Sequence, residues 1–306
     1  MVSVTIKPRA GKQSKKFPCT IKLETSKPTV AELKRAIARQ TKLDFYRQRL
    51  TTDDKQVLED DSKELSEYGV QHNASLEIKD LGPQISWKTV FLIEYAGPIF
   101  IHPAFYYAQK LFYRKTFEHS RMQQVAMALV VAHFVKRELE TLFVHKFSSA
   151  TMPMFNVYKN SAHYWGLSGL LIAAPLYGPW NGAKALGTSV RNQDNWIYGW
   201  AALWLYGEVS NFITHLNLSS LRPAGTRQRN IPRGYGFNLV SCANYFFETV
   251  SWAAFFGLTL DPGTLVFIVA AVGQMYVWAV KKHKRYRKEF GSDYPRNRKA
   301  MFPFIA

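Results

Sequence analysis

Between Phe237 and Trp252 an apolar stretch carries Asn244, Tyr245 and Glu248: an amide, a phenol and a carboxyl where a membrane-spanning helix is expected. Polar groups at that depth are expensive unless they have partners, so this run reads as part of a site. Glu94 stands in the same way inside Phe91-Leu92-Ile93-Glu94-Tyr95-Ala96-Gly97-Pro98. A lone carboxylate there has to be paired or to line a cavity. Lys136, Arg137, Glu138 and Glu140 follow a third apolar run. A snorkelling helix end with local ion pairs accounts for them as well as a site does. Glu208, Asn211 and His215 recur at helical spacing in a fourth.

Two further segments suit phosphate. Leu221 to Gly234 gathers Arg222, Arg227, Arg229 and Arg233 among Gly and Pro turns. Arginine makes bidentate bonds to phosphate, so the loop fits a pyrophosphate or a 2′-phosphate; an ordinary basic cytoplasmic loop is the alternative. The tail Lys281-Lys282-His283-Lys284-Arg285-Tyr286-Arg287-Lys288 is basic and aromatic and suits a phosphorylated cofactor at a membrane face. There is no Gly-x-Gly-x-x-Gly opening a βαβ unit, so a dinucleotide has to bind among helices.

The elements that must position these groups divide unevenly along the chain. With 20% charged residues and a mean hydropathy of −0.18 the 306 residues would pass for a soluble protein if they were homogeneous. They are not: residues 1–80 are dense in charge, whereas 85–282 carry apolar segments rich in Trp, Tyr and Phe, the bias of membrane interfaces. The net charge of +18 is scattered over head, loops and tail, so nucleic-acid binding is not expected. Cys19 and Cys242 stand alone, without disulfide framework or metal-ligand spacing. The N-terminus lacks the apolar core of a signal peptide, which leaves insertion to the first span. Six candidate spans can be read, 86–108, 121–135, 162–180, 195–214, 236–259 and 263–281, and a seventh through 139–144 stays open. An even count with basic head and tail places both termini in the cytosol.

In the head, Val4 and Ile6, then Cys19, Ile21 and Leu23, alternate with polar residues on either side of Arg9-Ala10-Gly11-Lys12, which reads as a hairpin. Thr29-Val30-Ala31-Glu32 offers a capping box to a helix carrying Val30, Leu33 and Ile37. Strands around Gln48-Arg49-Leu50 and Ser75-Leu76-Glu77-Ile78 complete a ββαββ order. Over about eighty residues, through Arg47-Gln48-Arg49-Leu50, Lys55-Gln56-Val57-Leu58-Glu59-Asp60 and Leu65-Ser66-Glu67-Tyr68-Gly69-Val70, this resembles ubiquitin. Leu81-Gly82-Pro83 replaces a free diglycine tail, so conjugation is not expected; a docking module or a plain packed cap are the two readings.

The whole chain resembles the steroid 5-alpha-reductase superfamily, and within it the trans-2-enoyl-CoA reductases of very-long-chain fatty acid elongation. The resemblance rests on Ala243-Asn244-Tyr245…Glu248 and on His283-x-x-Tyr286-x-Lys288…Asp293-Tyr294-Pro295…Pro303-Phe304-Ile305, in order after the ubiquitin-like head. It implies NADPH-dependent reduction of a long-chain trans-2-enoyl-CoA at the endoplasmic reticulum membrane, beside other elongation enzymes. For that reaction Tyr245 is the expected proton donor, because a phenol near pKa ~10 stays protonated at neutral pH yet can donate to an enolate, with Glu94 orienting it or the substrate carbonyl. Asn211, Arg222, Arg229, Asn244, Lys282, His283, Tyr286 and Lys288 would hold the cofactor, and Lys136, Arg137 and Glu140 the substrate. Steroid-reducing relatives lack the head and carry a Tyr near Phe134, which argues against a steroid ketone. Phe290-Gly291-Ser292-Asp293-Tyr294 imitates isoprenylcysteine methyltransferases, which lack the Asn-Tyr…Glu run, and a non-catalytic adaptor would leave Glu94 and Glu248 unexplained. The fold class expected is an α-helical multi-pass membrane bundle of six or seven spans (81–306) behind a small α+β ubiquitin-like β-grasp domain (1–80).

Overall fold

Alternation along the first residues makes strands with one apolar side. β1 (Val2–Pro8) buries Val4 and Ile6, and β2 (Cys19–Leu23) buries Ile21 and Leu23. Thr29 starts α1 (Val30–Thr41) through a reciprocal cap: its Oγ1 accepts from Glu32 N at 3.3 Å, and Glu32 Oε2 accepts from Thr29 N at 2.7 Å. The helix lays Val30, Leu33 and Ile37 into the same core as Leu50 of β3 (Gln48–Thr52) and Leu76 and Ile78 of β4 (Ala74–Asp80). The sheet order is β2-β1-β4-β3, with β1 parallel to β4 and the other pairs antiparallel. A separate ladder joins β5 (Gln84–Ser86) to β6 (Thr151–Pro153). The computed structural model describes residues 1–9, 15–147, 149–221 and 230–305, so the hairpin turn at Ala10-Gly11-Lys12 lies outside the described residues. The chain divides into two units, Met1–Ser86 with Ser149–Asn156, and Trp87–Ser148 with Val157–Ala306.

From Trp87 onward helices dominate: α2 (Trp87–Tyr107), α3 (Gln109–Tyr113), α4 (Arg121–Phe143), α5 (Phe155–Ser161), a π-helical segment Ala162–Leu171, α6 (Ile172–Leu176), α7 (Ala183–Leu186), α8 (Asp194–Ser220), α9 (Ala243–Thr259) and α10 (Pro262–Phe290). Ser120 and Gln123 cap α4 reciprocally, and Asp261 caps α10 by accepting from Thr264 N at 2.7 Å, with Pro262 in the first turn where no N–H is needed. Two glycines permit close approaches around the polar interior. A Cβ on Gly207 of α8 would lie 2.4 Å from Ser251 Oγ of α9, and one on Gly97 of α2 would lie 2.1 Å from the Trp165 ring. Each stands beside or near a buried carboxylate, Glu208 and Glu94 respectively. The main core of this unit packs Tyr95, Phe134, Leu176, Tyr177, Trp252 and Phe255.

The expected six or seven spans do not hold. Among the described residues one helix, Pro262–Asp293, is long and apolar enough to cross a membrane, and it corresponds to the last of the six candidates. The others fail for different physical reasons. Candidate 162–180 is not a single helix but a π-helical stretch followed by the short α6. Candidate 236–259 becomes α9 of 17 residues, roughly 25 Å against the ~30 Å of hydrocarbon. In α2, α4 and α8 charged and amide residues, together with the Trp and Tyr read as interface signals, dilute the apolar content, and α4 and α8 turn much of their polar content inward. The multi-pass expectation is therefore replaced by a helical unit with one candidate span, preceded by a unit built on a mixed sheet.

Candidate active site

His133, Lys136, Arg137 and Glu140 recur at i, i+3, i+4 and i+7, which puts them on one face of α4. Glu208, Asn211 and His215 do the same on α8, and Asn244 and Glu248 lie one turn apart on α9. Because α4 runs on to Phe143, the Lys136–Glu140 group is inside the helix rather than at its end.

The three faces interlock. Lys136 Nζ donates to Glu208 Oε2 at 2.8 Å and to Asn211 Oδ1 at 2.7 Å. Asn211 Nδ2 donates to the Asn244 carbonyl at 2.9 Å and to Glu248 Oε2 at 3.1 Å. His133 lies between two carboxylates, with Nδ1 2.8 Å from Glu208 Oε1 and Nε2 3.3 Å from Glu248 Oε1. Arg137 donates to Glu140 Oε2 at 2.6 Å and to the Tyr95 hydroxyl at 3.0 Å. Every carboxylate of the set has a cation or histidine against it, which is what allows the charge to be buried.

Glu140 is 1% exposed, with His215 Nδ1 3.1 Å and Lys136 Nζ 3.6 Å from its Oε1. Burial pushes its carboxyl up, but the His215 contact and the Arg137 and Lys136 charges outweigh this and hold it well below the usual carboxylate range. Burial, reinforced by Arg137, depresses His145 to about 3, and burial also lowers His215 against the opposing pull of Glu140. The ligand-type atoms of Glu140, His145 and His215 lie within 4.8 Å of one another. The Arg137 guanidinium, 2.6 Å from Glu140 and 3.3 Å from His215, already fills that position with positive charge, which disfavours a metal ion there.

Of the residues singled out in the sequence, Lys136, Arg137, Glu140, Glu208, Asn211, His215, Asn244 and Glu248 come together in this network. Asn244 uses its carbonyl for Asn211, while its buried Oδ1 has no hydrogen-bond partner. Glu94 is buried at 2% exposure; its carboxyl meets the Asn160 side chain and its Oε2 lacks a partner. Tyr245 is half-buried against Cys242, Met275 and Ala279, and its hydroxyl makes no hydrogen bond to a described residue. Glu94 and Tyr245 are not hydrogen-bonded to each other; Arg137 interacts electrostatically with both. Lys282 and Tyr286 continue the Met275–Ala279 stripe of α10, with Lys282 Nζ 5.7 Å from the Tyr286 ring centroid, and Lys282 also interacts with Tyr245. His283 Nδ1 instead meets Ser241 Oγ at 2.6 Å, beside the Tyr294 hydroxyl, tying down the tail. Lys288 is exposed, and Arg222 and Arg229 lie outside the described residues. Sequence reading missed His133, although its spacing from Lys136, Arg137 and Glu140 places it on the same face.

A helical unit that buries this many ionisable groups and leaves acceptors unpartnered has the character of an enzyme interior. The chain belongs to the 3-oxo-5-alpha-steroid 4-dehydrogenase family, which it matches over residues 150–306. Its relatives extend the likeness over nearly the whole length. A putative enoyl reductase of Schizosaccharomyces pombe is 43% identical over 304 residues, 99% of this chain and all of the relative. A very-long-chain enoyl-CoA reductase of Dictyostelium discoideum is 41% identical over 292 residues, 92% of this chain and 93% of the relative. A probable very-long-chain enoyl-CoA reductase of Caenorhabditis elegans is 40% identical over 292 residues, covering 90% and 91%.

Proposed function

We propose that the chain is an oxidoreductase that reduces a long-chain trans-2-enoyl-CoA to the saturated acyl-CoA with NADPH, the last step of the very-long-chain fatty acid elongation cycle. The reaction needs a hydride at the β-carbon, stabilisation of charge on the thioester oxygen, and a proton at the α-carbon. NADPH supplies the hydride. The residues of this chain do the rest. Asn244 Oδ1, a buried acceptor without a donor, fits the amide N–H of a carboxamide, and the Asn211–Lys136 bonds hold the turn of α9 that carries it. Arg137, the cation shared by Glu94 and Tyr245, stabilises negative charge on the thioester oxygen. Tyr245 donates the proton, since its phenol makes no other hydrogen bond among the described residues and a phenol near pKa ~10 is protonated at neutral pH. Glu94, through its free Oε2, orients the substrate. Lys282 and Tyr286, with Arg222, Arg229, His283 and Lys288, serve the phosphates.

The observation that carries the reading is the unpartnered Asn244 Oδ1 at the edge of a buried charged network, one residue from Tyr245. The finer setting belongs to the same reading. α10 lies in a membrane, in this reading that of the endoplasmic reticulum; its exposed Leu265, Val266, Val269, Val277 and Trp278 suit contact with lipid, and the N-terminal unit is a ubiquitin-like docking module for other elongation enzymes. The test is full-length protein in detergent with NADPH and a long trans-2-enoyl-CoA, followed at the nicotinamide absorbance. Consumption of NADPH that depends on the enoyl-CoA supports it; turnover of S-adenosylmethionine without NADPH consumption refutes it.

A further inference from the structure

His133 bridges two carboxylates, Glu208 and Glu248. The imidazole is clamped edge-on against Phe134 and Trp252, with ring centroids 4.9 and 5.0 Å away; its Nδ1 hydrogen-bonds Glu208 Oε1 at 2.8 Å, and its Nε2 stands 3.3 Å from Glu248 Oε1, within ion-pair distance. A neutral imidazole has one N–H and one lone pair, so one of these contacts would set a lone pair against an ionised oxygen. A second proton, on the ring or on one of the carboxyls, removes the conflict. The charge count agrees. Among the groups joined by direct contact, Lys136 and Arg137 stand against Glu140, Glu208 and Glu248; with His215 and His145 counted as neutral, both pushed down by burial and by the Arg137 charge beside them, one negative charge is left in excess. One extra proton in the bridge makes the set neutral, as burial demands.

We infer that His133 is a positioning residue: its bridge holds the proton that neutralises the buried network, and through Glu248 it fixes Asn211 and so the place of Asn244. The path is short. Glu248 presents Oε1 to His133 and Oε2 to Asn211 Nδ2. With Glu248 accepting on one side and Lys136 donating on the other, the Asn211 amide has one workable orientation, because a flip would set its NH₂ against the ammonium. In that orientation Nδ2 also holds the Asn244 carbonyl. The positioning half of the inference rests on the cofactor reading of Asn244; the proton half does not.

The experiment compares His133→Gln, Glu248→Gln and the double variant in the full chain in detergent. His133→Gln can donate at one end only and leaves the charge excess in place; adding Glu248→Gln removes that excess. Two readouts are taken: the thermal midpoint without cofactor, and the NADPH dissociation constant from nicotinamide fluorescence, with the split between KM and kcat recorded alongside. The expected results are a lowered midpoint and NADPH binding weakened on the order of 10-fold in His133→Gln, with kcat at saturation little changed, and a midpoint largely restored in the double variant. A double variant no more stable than His133→Gln overturns the proton assignment, and this includes the case in which both fail to fold. Wild-type affinity for NADPH in His133→Gln overturns the positioning role. If the unaltered protein binds no NADPH, the cofactor reading and the positioning role fall together, and the midpoints still decide the proton.

Discussion

The two units bury their polar chemistry in opposite ways. In the N-terminal unit the core is aliphatic, from Val4 and Ile6 to Leu76 and Ile78, and pairs such as Arg47–Asp80 and Lys63–Glu67 stay at the surface, although Lys34 is buried beside a half-buried Asp61. In the helical unit Glu140, Glu208 and His133 are at most 5% exposed in their side chains; Glu140 is held by Arg137 and Lys136 of its own helix and by His215 of α8, and His133 and Glu208 pair across helices. An aliphatic core does the work of stability without such groups; a buried ionic network is seldom the cheaper way to be stable. The unit that carries it is therefore the one expected to act, and the other is expected to tolerate change.

The largest effect that would sharpen this contrast is at Tyr245. Tyr245→Phe keeps the ring in its packing and removes the hydroxyl proposed as proton donor, so kcat should fall by at least ~10²-fold while the thermal midpoint and NADPH binding hold. Near-normal turnover would return Tyr245 to a packing role. Next comes stability at the network itself. Glu140→Ala leaves Arg137 buried without its carboxylate and should cost ~3–5 kcal/mol in denaturant unfolding. Asp80→Asn, which breaks a pair with side chains 36% and 47% exposed, should cost less than ~1 kcal/mol. Equal losses at the two sites would erase the distinction between the units.

A smaller effect is set by acid. The folded values of His145 and Glu140 lie below those of the free side chains, so the unfolded chain binds more protons than the folded one in the intervening range. Their stabilisation is present at neutral pH. It is lost as pH falls from about 6.5 towards 3 for His145, and below about 4.5 for Glu140. The midpoint of the helical unit should fall steadily on acidification, and a midpoint that rises would contradict the assigned directions. The smallest expected effect is removal of the head: a chain starting near Gln84 should keep wild-type turnover, and loss of turnover in a folded protein would show that the head shapes the site.

Legibility in the sequence followed the range of the forces involved. The strands of the head and the Thr29–Glu32 cap are local patterns, and they appear where alternation and capping place them. The span count failed because aromatic and amide residues look alike in sequence whether they face lipid or a neighbouring helix. Trp204 and Trp252 are buried in the protein, whereas Trp278 is exposed. Lys136, Arg137, Glu140, Asn211 and Asn244 were conspicuous as polar groups among apolar ones; Glu140 pairs with Lys136 and Arg137 locally on α4, but the contacts that join α4, α8 and α9 are tertiary, set by the approach of α8 to α9 at Gly207 and by α4 against both. His133 escaped notice because a single histidine in an apolar run signals little until the carboxylates at both its nitrogens are seen.

Whether reduction occurs at the network reached through Arg137 is decided by Arg137→Lys in a single turnover. Lysine keeps the charge against Glu140 but loses the guanidinium fork that also reaches Tyr95. With enzyme and NADPH in excess over a trans-2-enoyl-CoA, the decay of nicotinamide absorbance isolates chemistry from binding and release. The expected outcome is a folded protein whose single-turnover rate is down by ~10²-fold, the loss typical of one removed stabiliser of developing negative charge. An unchanged rate in the same variant would contradict the assignment of the reaction to this network.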